Sequence, residues 1–402
     1  MLKPKPVHEV IELVKSRYYH LRVGTEKTSY LDALGRVLAV DVEADTYLPR
    51  FNRATVDGYA VLAADVASCS PEKPVNLKLI GETRMGEHAL MQLKSGQCAY
   101  VPTGGEIPAG ADSMIMIETT RNPGDGTIVF SESISSGMNM ILRGEDTQPG
   151  QLIIPAGKRL KIADIGTLAA MGIVSVPVMK KPRVGIISTG DEIIPADQPL
   201  SAGLIRDANT PMLRNAVLVN GGEPVDYGIV RDEVPLVKQT MQQALAENDL
   251  LLISGGTSMD TRDAVEAIIE ELGEVIQHGV LLKPGKPIIF GNIDGKPVFG
   301  LPGNPVSVYF TFHLFVRPLL HAMQGTQPVD RKMAAKLARA VVTGSGREEY
   351  IPVILEGTLA YPVASKSGLI TTISCADGYI RVPRELPGLE AGIEVEVTFL
   401  DK

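Results

Sequence analysis

The chain of 402 residues contains no tryptophan, only 5% aromatic residues and three cysteines. Cys69, Cys98 and Cys375 are scattered and odd in number, which excludes a disulfide framework and a zinc-type Cys-x-x-Cys spacing and points to a reducing compartment. No run of about 18 apolar residues is present, so no segment reads as a membrane-spanning helix. The N-terminal Met1-Leu2-Lys3-Pro4-Lys5-Pro6 also lacks the apolar stretch of a secretion signal. A cytoplasmic protein is expected. Positive charge is not in excess either: 39 Lys and Arg against 47 Asp and Glu give a formal net charge of −8. A nucleic-acid binder needs a basic face to displace counterions from phosphate, so nucleic acid is not the expected partner. Any anionic ligand must be held by a local site.

With 44% hydrophobic residues the chain can bury several cores, and roughly 150 residues per domain predicts two to four domains. Forty glycines and twenty-eight prolines without low-complexity runs predict many tight turns between short elements. Val7, Val10, Ile11 and Val14 recur at i, i+3, i+4 and i+7, the stripe of a docking helix over 7–19. From about 45 to 140 short runs such as Gln97-Cys98-Ala99-Tyr100-Val101 and Ser113-Met114-Ile115-Met116-Ile117 are broken by Pro and Gly, which predicts a β-rich insertion. Residues 151–179 read as a connector with short strands at 152–154 and 174–178 and a helix at 163–171.

Beyond Lys180-Lys181-Pro182 strand and helix alternate. The apolar run at 183–188 predicts a strand buried on both faces. A helix at 210–219 follows, with Thr210 as N-cap before Pro211 and an end at Gly221-Gly222. Strand 225–230, helix 235–247, strand 249–254, helix 262–272, a β pair at 288–290 and 297–300, and helix 305–321 complete a pattern that predicts a parallel sheet with crossover helices. After about 325 period-two strands return at 379–382 and 394–399, which predicts a small C-terminal β-barrel or sandwich. The expected fold is thus multidomain α/β plus β. Its divisions are residues 1–45 with 141–179 (helix and connector), 46–140 (β-rich insertion), 180–325 (central parallel α/β) and 326–402 (C-terminal barrel).

Chemistry is expected at the carboxyl ends of the α/β strands. Ser188-Thr189-Gly190-Asp191-Glu192 places N–H groups and hydroxyls beside two carboxylates, a setting for phosphate with Mg²⁺ that is as common in ordinary turns. Ser254-Gly255-Gly256-Thr257-Ser258 is a candidate anion cradle, although Asp263 beyond it serves equally well as a helix-start residue. Lys283-Pro284-Gly285-Lys286-Pro287 fixes two lysines with prolines, and Leu301-Pro302-Gly303-Asn304-Pro305-Val306-Ser307 puts Ser307 in the first turn of a helix, where anions are attracted. Asp232 could bind a metal, but capping helix 235–247 is its better local reading. Asp57-Gly58 reads locally as a turn. No His-x-x-x-His spacing, Gly-x-Ser-x-Gly elbow or Gly-Lys-Ser/Thr loop exists, which sets aside zinc-hydrolase, serine-hydrolase and P-loop chemistry.

The joint order of these motifs resembles the MoeA family of molybdopterin molybdenumtransferases, which includes the E domain of gephyrin. The resemblance covers nearly the whole chain. It rests on Gly35-Arg36-Val37-Leu38-Ala39, Asp57-Gly58-Tyr59-Ala60, Thr103-Gly104, Arg143-Gly144-Glu145-Asp146 and the Ser188, Ser254, Lys283 and Leu301 motifs just described. It implies a homodimer that installs molybdate in adenylylated molybdopterin and releases AMP with Mg²⁺, in an active site between the α/β domain of one subunit and the β-rich insertion of the other. Carried over by position, it implies catalytic roles for Asp57, Thr103, Glu192, Asp232 and Asp263, with Asp191, Glu192 and Asp232 at the metal. Ser188, Gly190, Ser254, Gly255, Gly256, Ser258, Lys283, Lys286, Pro302, Asn304, Pro305, Ser307, Arg347 and Ser367 would bind substrate. Two departures stand out. Met259-Asp260-Thr261-Arg262-Asp263 differs from the family pattern, so Asp260 competes with Asp263 for the family's aspartate position, and Gly346-Arg347-Glu348-Glu349 lacks a second arginine that is common there. Molybdopterin adenylyltransferase and recipient molybdoenzymes are the implied partners. The alternatives are a relative that adenylylates molybdopterin, which would resemble only 180–325, a non-catalytic pterin-binding scaffold, and a tungstate-specific insertase.

Overall fold

The computed structural model describes residues 3–255, 259–344, 346–363 and 366–400, with the side chains of 259–263 outside the description. The chain divides into two compact units, one of residues 1–39, 157–161 and 176–402, the other of 40–156 and 162–175.

In the first unit, helix α1 (Val7–Tyr18) buries Val7, Val10, Val14 and Tyr18, and Ile11 packs against the same core. The apolar stripe therefore makes the docking contact expected of it. The Tyr18 hydroxyl donates to the Gly291 carbonyl at 2.6 Å, so the apolar face carries one polar latch.

The α/β layer follows as β1 (Arg183–Thr189), α2 (Asn209–Val219), β2 (Glu223–Val230), α3 (Val234–Glu247), β3 (Leu250–Ser254), α4 (Met259–Leu272), β4 (Glu274–His278), the short β5 (Leu282–Lys283), β6 (Ile289–Ile293), β7 (Lys296–Leu301), α5 (Pro305–Thr311) and α6 (Arg317–Met323). Its sheet order is β2-β1-β3-β7-β6-β4. Strands β2, β1, β3 and β7 are parallel, as the alternation predicts, and all five residues of β3 are buried. The far edge differs: β6 runs antiparallel to β7 and β4 antiparallel to β6. The cause is local. Asp294 and Gly295 have φ of 51° and 78°, the left-handed pair of a two-residue hairpin turn, and such a turn can join only antiparallel neighbours.

Two helix details also differ from expectation. Asp207, not Thr210, caps α2: its carboxylate accepts the N–H groups of Asn209 at 2.9 Å and Thr210 at 3.0 Å and the Thr210 hydroxyl at 2.6 Å. A carboxylate that takes three donors outcompetes a single hydroxyl as a cap. The helix expected over 305–321 is interrupted by a π-turn at Phe312–Val316, because Pro318 has no N–H to return to the preceding turn.

The C-terminal strands β8 (Lys332–Leu337), β9 (Glu348–Glu356), β10 (Leu359–Pro362), β11 (Gly378–Val382) and β12 (Glu394–Phe399) close into a small barrel, since β9 pairs with both β10 and β11. Leu337, Val353, Ala360, Ile380 and Val397 fill it. Strand β5 adds to β9 in parallel, with Lys283 opposite Glu349.

The second unit carries a six-stranded sheet in the order 113–116, 58–61, 97–101, 75–82, 127–130, 120–121. Tyr59, Val61, Leu77, Ile128 and Phe130 form the core on one side and Ala60, Ala99, Val101 and Met114 on the other. No described helix is long and apolar enough to cross a membrane.

His321 on α6 is buried, with Nε2 3.1 Å from Asn220 Oδ1 at the end of α2. Burial, with Arg159 and Arg317 nearby, pushes its pKa down from 6.5 to about 4. The neutral ring therefore stabilises the fold fully above pH 6.5, and that contribution is lost as the pH falls toward 4. Thermal unfolding across this window is expected to show a steeper fall in Tm for wild type than for His321→Gln. Parallel curves would remove His321 from the acid response.

Candidate functional site

The carboxyl ends of the parallel strands are built at close quarters. Strand β1 ends on Ser188 and Thr189 and β3 on Ser254, all buried. A Cβ on Gly190 (φ 148°) would lie 2.7 Å from the Ile193 side chain and 2.9 Å from the Glu192 carboxylate, and one on Gly255 would lie 2.9 Å from the Thr189 hydroxyl. These turns leave no room for a side chain. The Thr189 hydroxyl is buried without a hydrogen-bond partner among the described residues. Asn209, which sequence reading did not single out, donates from Nδ2 to Ser254 Oγ and to the Gly303 carbonyl, both at 2.8 Å. It thereby ties the end of β3 to the turn ahead of α5. The available signal was Asp207-Ala208-Asn209-Thr210, a helix-capping sequence placed between strand and helix.

Asp191 is exposed, and its Oδ1 accepts the Asp232 N–H at 3.3 Å. The N-cap residue of α3 is Glu233, and Asp232 is brought beside Asp191 by the end of β2. A cavity of about 690 Å³ opens here, lined by Gly190, Asp191, Asp207, Thr210, Asp226 and Arg231 among others. Among the described residues no three His, Cys, Asp or Glu side chains are grouped to hold a metal. Mg²⁺, however, is commonly held by one or two carboxylates together with substrate phosphate oxygens and water; the exposed Asp191 carboxylate at the cavity can serve as one such ligand, whereas Asp232 meets it through its backbone N–H.

A second cavity, of about 770 Å³, lies between the α/β layer and the barrel. Lys283, Lys286, Pro302, Asn304, Ser307, Arg347 and Ser367 all line it, drawn from segments more than 80 residues apart. Arg339, Lys366 and Glu349 line it too, and the sequence offered no pattern that distinguishes them from ordinary loop charges. Among the described residues, five cations and one carboxylate thus line this cavity in a chain whose net charge is −8.

Local chemistry fixes this arrangement. Asn304 is the N-cap of α5, and its Nδ2 donates to Ser367 Oγ at 3.1 Å while the Val306 N–H donates to the Ser367 carbonyl at 3.1 Å. Ser307 is buried in the first turn of the same helix. Gly285 has φ 121°, and a Cβ there would meet the Thr311 methyl at 2.7 Å, so the lysine loop packs directly on α5. The Lys283 ammonium lies 3.1 and 3.0 Å from the two Glu349 carboxylate oxygens.

In the second unit the Thr103 N–H donates to Asp57 Oδ1 at 2.6 Å. Hydrogen bonds from the Thr103 backbone and then its side chain hold the Asp57 carboxyl below the usual carboxylate range, although it is exposed. Gly58 is forced, since a Cβ would fall 1.9 Å from the Ile115 carbonyl oxygen. Asp57 and Thr103, separated by 46 positions, therefore form one built pair. Gly256 and Ser258 lie outside the described residues. Asp260 and Asp263 lie on α4, but their side chains are likewise outside the description.

An α/β layer with glycine turns at its strand ends, joined to a barrel by a cation-lined cavity, defines a protein built to hold small anionic ligands. Three family models match the chain: the MoeA N-terminal region (domain I and II) over residues 5–172, a probable molybdopterin binding domain over 185–322, and the MoeA C-terminal region (domain IV) over 334–400. The molybdopterin molybdenumtransferase of Bacillus subtilis is 32% identical, over 99% of this chain and 94% of its own. A putative molybdopterin biosynthesis protein of Methanocaldococcus jannaschii is 33% identical, over 98% of this chain and 97% of its own. A crystal structure of a molybdopterin biosynthesis MoeA protein from Pyrococcus horikoshii superimposes with a TM-score of 0.85, at 39% identity and with 99% of each chain covered. The chain belongs to the MoeA family.

Replacing Asn209 with alanine would leave Ser254 Oγ and the Gly303 carbonyl without their donor. The expected cost is about 2 kcal/mol, from two lost hydrogen bonds at a buried junction. Equilibrium urea unfolding measures it, and a change below about 0.5 kcal/mol would show that the junction does not depend on Asn209.

Proposed function

We infer that the protein acts in molybdenum cofactor biosynthesis, as a transferase that inserts molybdate into adenylylated molybdopterin with release of AMP. The observation that carries this reading is the cation-lined cavity of about 770 Å³, which brings Lys283, Lys286, Ser307, Arg347 and Ser367 to one place. Molybdate is a tetrahedral dianion, and converging cations with hydroxyl and N–H donors are what it requires. The names of the relatives, read together with that chemistry, support the choice of oxyanion.

In this reading Lys283, Lys286 and Arg347 neutralise the oxyanion, while Ser307, Ser367 and Asn304 set its orientation. Pro302 and Pro305 keep the turn beneath it rigid, at little loop entropy. Ser188, Gly190, Ser254 and Gly255, with Gly256 and Ser258, cradle the phosphate-bearing substrate at the strand ends. Asp191 and Asp232, with Glu192, hold Mg²⁺, which supplies charge neutralisation at the phosphates. Asp263, with Asp57 and Thr103 of a second copy, completes the site. Rate enhancement comes from holding dithiolene and molybdate in contact and from charge stabilisation.

The proposed domain divisions are residues 1–45 with 141–179, 46–140, 180–325 and 326–402. The proposed assembly is a cytoplasmic homodimer in which Asp57 and Thr103 serve a second copy, with molybdopterin adenylyltransferase upstream and molybdoenzymes downstream as partners. Light scattering on the eluting protein tests the dimer, and a monomer mass at micromolar concentration would overturn it.

The reaction is tested by anaerobic incubation with adenylylated molybdopterin, Mg²⁺ and micromolar molybdate, following AMP and metal-loaded cofactor by chromatography. Molybdate-dependent AMP release is expected for wild type. Lys286→Ala and Arg347→Ala are each expected to lower turnover at limiting molybdate by about tenfold or more, as loss of a charge-assisted contact requires. Wild-type protein that binds the pterin tightly without turnover on molybdate would overturn the reading, and activity on tungstate alone would reassign the oxyanion.

A further inference from the structure

A carboxylate is out of place in a cavity that gathers anions. Glu349 is 5% exposed and is the one acidic residue among the described residues lining the larger cavity. The next residue back, Glu348, is spent on the outer face of the barrel: its two oxygens take the Tyr350 hydroxyl at 2.6 Å and the Arg381 guanidinium at 2.8 Å. Glu349, on the opposite face of β9, instead receives the Lys283 ammonium on both oxygens and the Gly344 N–H at 3.1 Å. Stability does not explain the choice. Burying a carboxylate against a half-exposed ammonium carries a desolvation cost that such a pair seldom outweighs, and an uncharged amide could accept the same N–H.

We propose that Glu349 is a charge-tempering residue for the oxyanion: it shares the Lys283 ammonium and weakens the hold on doubly charged anions. This rests on the reading of the cavity as an oxyanion site. An oxyanion that accepts a hydrogen bond from Lys283 sits about two hydrogen-bond lengths from the Glu349 oxygens, at most roughly 6 Å. At that range, behind protein rather than water, repulsion is substantial, and it scales with the charge of the ligand. A dianion is penalised twice as much as a monoanion of the same shape. The benefit is release. Oxyanion bound too tightly in the ground state would resist transfer to the acceptor, and only interactions favouring the transition state raise the rate.

The test uses the full chain and isothermal titration calorimetry with tungstate and with perrhenate, tetrahedral oxyanions of similar size carrying two charges and one, at constant ionic strength. Wild type is expected to bind tungstate, and Lys283→Ala to weaken that binding at least tenfold. Glu349→Gln is expected to bind tungstate about tenfold more tightly and perrhenate only about threefold more tightly, the ratio of the shifts following the ratio of the charges. Glu349→Thr, a second neutral variant, supplies the comparison if the glutamine form does not fold. Glu349→Asp keeps the charge and is expected to stay within about threefold of wild type for both ligands. Neutral variants that bind tungstate no more tightly than wild type, or that shift tungstate and perrhenate by the same factor, overturn the role of Glu349 alone. Tungstate binding indifferent to Lys283→Ala, or absent in wild type, overturns the oxyanion reading of the cavity and this inference with it.

Discussion

Two backbone pairs fasten the α/β layer to the barrel: Leu282 stands opposite Glu348 and Lys283 opposite Glu349, where the two-residue strand β5 adds to β9. The arrangement of the larger cavity depends on this short parallel join. It sets the lysine loop over α5 on one side and brings the loop bearing Arg347 to the other. It also sorts the charges, because side chains alternate along a strand and neighbouring glutamates are sent to different partners. One closes a network with Tyr350 and Arg381 on the outer face of the barrel, and the other meets Lys283 at the cavity wall.

Around that join the site is made stiff by small means. Prolines occupy the turns where flexible lysine and asparagine loops would otherwise lose entropy on binding. Glycines sit at Gly190, Gly255 and Gly285, where any side chain would collide with its surroundings. Asn209 ties β3 to the turn before α5 through two hydrogen bonds. The hydrogen bonds of Asp57 with Thr103 give the second unit a comparable fixed point, at the start of an inner strand whose glycine admits no replacement.

Much of this was legible in the amino-acid order, and the reasons differ by element. Strands buried on both faces announce themselves as unbroken apolar runs, so 183–188 and 249–254 fall within a residue of the observed β1 and β3. The lysine and proline motifs were legible because each combines charge with restricted backbone. The antiparallel edge of the sheet was missed although Asp294-Gly295 is a hairpin signal, since strand and helix alternation was given priority over turn chemistry. The break at Pro318 was missed because the apolar periodicity runs straight through it. Arg339, Lys366 and Glu349 could not be found from local pattern at all. Each is an ordinary charged residue until the barrel closes and β5 docks, and only that long-range geometry places them on one wall.

The concentration of cations in one cavity of an acidic molecule also sets how far its attraction reaches. At physiological ionic strength charges are screened beyond roughly 8 Å. On the oxyanion reading proposed above, an approaching anion meets a molecule of net negative charge and comes under favourable attraction only at the mouth of the cavity. Capture in that reading would be governed by unguided collision with a small target, unlike proteins whose whole surface steers the ligand inward. A site of that kind discriminates by contact, on shape and charge together, and gains little speed from dilution of the surrounding salt.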